Sequence, residues 1–133
     1  MVVIDASAVA ELLLNRPVAA RLRERLSGES ELHAPHLIDL EVMQVLRRAL
    51  RRGALTEAGA ADALKDFKEL HLTRYPHIPF LDRIWDLRAN VTAYDAAYLV
   101  LAEVLDAPLV TTDGRLSRAP GLRAAVEVWE GSS

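Results

Sequence analysis

Two spacings of apolar residues alternate along the chain, and each change of spacing marks an element. Val2-Val3-Ile4 is a continuous β-branched run ending at Asp5, the pattern of a central parallel strand buried on both faces. A helix follows at once from Ala6 through Leu14. Pro17 supplies the preset first position of a second helix that runs to Leu26, with Arg21, Arg23 and Arg25 read as solvated charges around it. Glu31 to Ala34 is a short strand ended by Pro35. His36 to Arg52 is strongly amphipathic, because 100° per residue puts Ile38, Val42, Val45, Leu46 and Ala49 on one face. Gly53 stops it.

Thr56 to Leu70 is the next helix, with Ala60, Leu64 and Phe67 as a stripe suited to packing or to a dimer seam. Leu70 to Tyr75 is a third strand. Pro79 then opens a helix whose face is Phe80, Ile84, Leu87 and Val91, with Trp85 near it as core.

The stretch from Thr92 to Leu116, TAYDAAYLVLAEVLDAPLVTTDGRL, reads as helix, tight turn and buried strand. Thr92 is an N-cap, and Tyr94, Ala97, Tyr98, Leu101, Ala102 and Leu105 recur at helical spacing until Asp106-Ala107-Pro108 ends the run. Leu109 to Thr111 is a strand. Pro120-Gly121 breaks the turn after it, and Val126 to Trp129 alternates as a final edge strand. Strands and helices therefore take turns along the chain. That order predicts a three-layer α/β/α sandwich around a mainly parallel sheet, joined by right-handed crossovers.

Composition narrows the class. A chain of 133 residues with 51% hydrophobic content supports one core, so residues 1–133 are expected to form a single domain with no linker beyond the short tail at 131–133. No cysteine is present, which excludes thiolate metal sites and disulfides and is compatible with a reducing cytoplasm. No apolar run reaches the roughly 20 residues needed to span a bilayer, and Asp5 and Glu11 interrupt the N-terminal one, so a soluble, unprocessed protein is expected. A formal net charge of −3 argues against binding nucleic acid by overall charge but allows a local basic patch.

The candidate chemistry lies in the acids. Asp5 and Asp113 both follow strands, and the carboxyl ends of parallel strands are where α/β sheets hold ligands. Asp95 is a rare charge in a helix apolar on nearly every side. Glu41 sits at the rim of its helix's apolar face, able to reach a pocket while partly wetted. Each has a local use as well: Asp5 and Asp113 as turn or cap residues, Asp95 in a capping box with Thr92, and Glu41 as a boundary residue. If the four converge, two carboxylates about 4 Å apart repel by roughly 4 kcal/mol at an effective dielectric of 20. A divalent cation resolves that repulsion, and hard oxygen donors favour Mg²⁺ or Mn²⁺. Gln44, Arg48 and Arg52 continue the stripe from Glu41 as a basic track, widened by Arg47 and Arg51. By itself it reads first as a solvated helix end whose arginines complement the helix dipole, and second as a track in which Arg48 and Arg52 are candidate phosphate contacts. Arg115 is a further candidate RNA contact. His33 and His36 have ligand-like spacing, but Pro35 separates them and no metal site is expected there.

Asp5 in VVIDASAV, Glu41 in HLIDLEV, Asp95 in TAYDAAYLVLA and Asp113 in LVTTDGRL resemble the acidic quartet of PIN-domain nucleases. The pattern is especially similar to the VapC toxins of bacterial VapBC toxin-antitoxin modules, and it runs from Val2 to the last strand. The resemblance implies a Mg²⁺- or Mn²⁺-dependent endoribonuclease that hydrolyses RNA phosphodiester bonds to a 5′-phosphate and a 3′-hydroxyl. It implies Asp5, Asp95 and Asp113 as principal metal ligands, with Glu41 a ligand directly or through water. Ser7 and Thr112 match hydroxyl positions that in the family lie beside the acids. It also implies a homodimer and a VapB-like antitoxin whose C-terminal segment covers the site. Two rivals use the same sheet edge. A Mg²⁺-dependent phosphatase lacks its lysine after a strand, since Lys65 and Lys68 are mid-chain. A catalytically silent PIN-like module that binds protein or RNA requires a missing acid, and none is missing.

Overall fold

The computed structural model describes residues 1–130, and the tail at 131–133 lies outside the described residues. Its strands are β1 (Val2–Ile4), β2 (Leu32–Pro35), β3 (Leu72–Tyr75), β4 (Leu109–Thr111) and β5 (Val126–Val128). They form one sheet in the order β3-β2-β1-β4-β5, with every neighbouring pair parallel. The helices between them are α1 (Ala6–Leu13), α2 (Ala19–Leu26), α3 (Leu37–Arg51), α4 (Glu57–Glu69), α5 (Leu81–Asp86) and α6 (Ala93–Leu105). This is the expected α/β/α sandwich. No helix among the described residues is long and apolar enough to cross a membrane.

Burial explains why β1 is central. Val2, Val3 and Ile4 are all fully buried, as only a strand covered on both faces can be. Helix α6 lies across β1, β2 and β4, and seven consecutive residues from Ala96 to Ala102 are buried in it. Helix α1 packs on α2, α3 and α4 in the other helical layer.

Several expectations change in detail. The second helix begins at Ala19 rather than Pro17, and Pro35 belongs to β2 rather than ending it. Arg25 is no solvated charge: it bonds both carboxylate oxygens of Glu127 at 2.9 Å and Glu29 at 3.0 Å, tying α2 to the edge strand β5. The helix opened by Pro79 is interrupted, with a 3-10 turn at Ile78–Phe80 and a short α5 that ends at Asp86. Trp85 is consequently 65% exposed, not core, and stacks under Arg88, while Leu87 is buried. Tyr94 is likewise 63% exposed despite its place in the apolar pattern of α6. His33 bonds the Tyr75 hydroxyl at 2.7 Å, a contact between β2 and β3 that the sequence pattern did not indicate.

Candidate active site

Strand pairing assembles the first part of the site. Ile4 lies opposite Val110, and the Asp5 backbone N–H continues the ladder to Val110, so the residues that follow β1 and β4 emerge side by side. Asp5, only 7% exposed, caps α1 by accepting from the Ala8 backbone N–H at 3.0 Å. The Ser7 hydroxyl donates to its Oδ1 at 2.6 Å, and the Thr111 hydroxyl donates to its Oδ2. Capping and a buried hydroxyl cradle are thus realised together. Burial pushes the Asp5 carboxyl up, these donors pull it back, and the charge of Asp95 pushes it up again.

The two hydroxyls on Asp5 come from Ser7 and from Thr111, the residue before the Thr112 singled out in the sequence. Successive side chains on a strand point to opposite faces, and Thr111 and Asp5 each directly follow the facing residues Val110 and Ile4. Thr112 contributes its backbone N–H to Ser7 Oγ at 3.1 Å.

Asp95 arrives from α6. The Thr92 hydroxyl caps that helix by accepting from the Asp95 backbone N–H at 3.1 Å, which fixes the first turn and leaves the Asp95 carboxylate in the half-buried rim. Burial pushes its carboxyl up, the Thr92 hydroxyl opposes this, and Asp113 pushes it further up. Glu41 comes from α3, half-buried, with Oε1 accepting from the Tyr98 hydroxyl at 2.6 Å. Burial raises its carboxyl, the phenol lowers it, and the charges of Asp5 and Asp95 raise it. Asp113 behaves oppositely. Arg115 holds both of its oxygens, with Nη2 2.6 Å from Oδ2, and keeps its carboxyl below the usual range.

The four acids therefore lie within electrostatic reach, linked as Asp5 to Asp95, Glu41 to both, and Asp95 to Asp113. Their oxygens are not closed around one point: among the described residues no three acids stand as a ready metal cage. Asp5 accepts from Ser7 and Thr111, Glu41 from Tyr98, and Asp113 from Arg115. Asp95, Arg115 and Arg118 line a cleft of about 290 Å³. A larger cavity of about 500 Å³ lies away from the acids, between α6 and the segments leading into β4 and β5. Its Arg83 and Glu103 pair with each other at 2.9 Å, and Asp106 and Arg123 also line it.

Arg48 and Arg52 stand exposed on α3 and at its end, in no ion pair among the described residues. Arg48 lies about 10 Å along the helix axis from Glu41 at 1.5 Å per residue. Tyr98 was not singled out by sequence pattern, because a tyrosine at helical spacing reads as core. Its one sequence signal is its place three residues after Asp95, on the same face of α6.

The PIN domain family matches residues 2–122. The chain is 46% identical over 117 residues to "VapC ribonuclease Mb0985" of Mycobacterium bovis, covering 88% of this chain and 89% of that one. It is 43% identical over 127 residues to "Ribonuclease VapC1" of Mycobacterium tuberculosis, covering 95% and 96%. Among solved structures it resembles that of PAE2754 from Pyrobaculum aerophilum, with TM-score 0.70 and 27% identity over 95% of this chain and 82% of the other. The structure of VapBC2 from Rickettsia felis, bound to a DNA fragment from its promoter, has the same fold, with TM-score 0.70 and 15% identity over 98% and 100%.

Proposed function

This chain belongs to the PIN domain family, and on that premise we propose that it is the toxin ribonuclease of a toxin-antitoxin module, with Asp5, Glu41, Asp95 and Asp113 as its metal-dependent site. The observation that carries this reading is the position of four acids: Asp5 and Asp113 just after the paired strands β1 and β4, Asp95 in the first turn of α6, and Glu41 bonded from α3 to Tyr98 of α6. Asp5, Glu41 and Asp95 all have carboxyls raised first by burial, and then by a neighbouring acid: Asp95 for Asp5, both Asp5 and Asp95 for Glu41, and Asp113 for Asp95. Keeping mutually repelling carboxylates in a half-buried cluster is costly to the fold. Local capping alone needs no such cluster. The names of the mycobacterial relatives, each called a ribonuclease, support the same activity.

The donor set fits a hard divalent cation. It is all oxygen, anionic and free of thiolate, the chemistry of Mg²⁺ or Mn²⁺ rather than zinc. Asp5, Asp95 and Asp113 would hold the ion, with Glu41 bound directly or through water. A cation held there supplies the positive charge that acidifies an attacking water and steadies the leaving oxygen of an RNA phosphodiester. The chain's own groups do the rest. Ser7 and Thr111 fix the orientation of Asp5. Arg48 and Arg52 take phosphates along the bound strand, and Arg115 at the rim offers its guanidinium to a phosphate when Asp113 is otherwise engaged.

The same reading includes a VapB-like antitoxin partner, a homodimer and a site of action in the cytoplasm. Ile78, Leu81, Trp85 and Tyr94 are all exposed, large apolar side chains that a second copy would cover. The test is cleavage of RNA by the purified chain with Mg²⁺ or Mn²⁺. Asp5→Ala and Asp95→Ala should each abolish it while circular dichroism shows an intact fold. Equal cleavage by wild type and variants would assign the activity to a contaminant.

A further inference from the structure

Resting on that reading of the acids, we infer that Tyr98 is a positioning residue whose hydroxyl holds Glu41 in the site, binding Oε1 and leaving Oε2 for the cation. The ring and the hydroxyl of Tyr98 have separate duties. The residue is only 3% exposed and its ring belongs to the main core, which a phenylalanine would fill as well. The hydroxyl donates to Glu41 Oε1 at 2.6 Å, the short length of a charge-assisted bond.

Glu41 needs such a tether. It projects from the rim of α3 with three rotatable bonds, while the other acids approach from the sheet edge and α6. Asp5 and Asp95 disfavour its charged form beside them, and the side chain is only half-buried, so solvent is open to it. Asp95 and Tyr98 share a face of α6 one turn apart, so the helix that delivers one acid also delivers the donor that retains another. Residues that orient a metal ligand commonly change metal affinity 10- to 100-fold when removed.

The test is calorimetric titration of Mn²⁺ into metal-free protein for wild type, Tyr98→Phe, Glu41→Ala and the double variant, with thermal melts to follow the fold. Tyr98→Phe should weaken Mn²⁺ binding about tenfold. In the Glu41→Ala background it should change nothing further, because the hydroxyl acts only through Glu41. Wild-type affinity in Tyr98→Phe, or an equal loss in both backgrounds, overturns the inference and leaves Tyr98 as packing. Mn²⁺ binding by wild type no stronger than by Asp95→Asn overturns the acidic site itself, and this inference with it. A 3-fluorotyrosine at position 98 gives a readout that deletes nothing. Its fluorine resonance should shift on adding Mg²⁺ in wild type and stay fixed in Glu41→Ala, and a fixed resonance in both counts against the tether.

Discussion

Arg115 grips Asp113 through Nε and Nη2, the latter 2.6 Å from Oδ2, so the fourth acid of the cluster carries its own counter-ion. The guanidinium lies on the surface and Asp113 at the edge of the site, which makes this pair an exchangeable one. Arg115→Ala should have opposite effects on two ligands. Mn²⁺ should bind the metal-free protein a few-fold more tightly, since a competing cation is gone. RNA should bind more weakly, with the dependence of log K on log salt flattened by about one phosphate contact. Weakening of both would make Arg115 part of the fold of the site.

The raised carboxyls give the metal-free protein a pH signature. Asp95 is pushed up first by burial and then by Asp113, so the folded chain holds its proton more tightly than the unfolded chain does. Its contribution to stability therefore falls as pH rises from the ordinary carboxylate range near 4 and is least favourable above the folded value. Asp113, held low first by Arg115, contributes in the opposite sense and loses its stabilising effect as pH falls. Asp95→Asn should raise the melting temperature of the metal-free protein at pH 7 by a few degrees, on the order expected for about 1 kcal/mol. The gain should shrink toward pH 4. A variant that melts lower than wild type at pH 7 would contradict the repulsion.

Thr111 and Thr112 separate by substitution. Thr111 is fully buried, donates to Asp5 and accepts from the Asp113 backbone N–H at 3.0 Å. Thr111→Val should cost about 1–3 kcal/mol in urea denaturation by stranding these groups. Thr112→Val, whose side chain has no such duty, should stay within about 0.5 kcal/mol. The reverse ranking would restore Thr112 to the site.

The basic track on α3 makes a purely electrostatic prediction. Arg48→Ala combined with Arg52→Ala should leave Mn²⁺ affinity and melting temperature unchanged. Each neutralised single-strand phosphate contributes about 0.7 to the salt slope, so the slope for RNA should flatten by about 1.4. An unchanged slope removes both arginines from the RNA path.

What the sequence made legible was whatever depends on local pattern and chain order. A β-branched run ended by Asp5, and a second strand followed by Asp113, had to leave one edge of a parallel sheet once strands and helices alternated. What stayed hidden depends on pairings distant in the chain. Choosing Thr111 over Thr112 required the register of Ile4 with Val110. The duty of Tyr98 lay on Glu41, 57 residues away, and the partner of Arg25 lay 102 residues away at Glu127. Trp85 was misplaced for a related reason. Its helical pattern continues to Leu87 and Val91, but the helix itself stops at Asp86 and turns the indole outward.

The convergence of the acids on one cation is tested most directly by a crystal of the protein soaked in Mn²⁺ and measured for anomalous scattering. The account predicts a peak bound by carboxylate oxygens of Asp5 and Asp95, with Glu41 released from no part of its bond to Tyr98 and Asp113 turned toward the ion. A peak on unrelated surface acids, or none at an ion concentration that supports RNA cleavage, would contradict it.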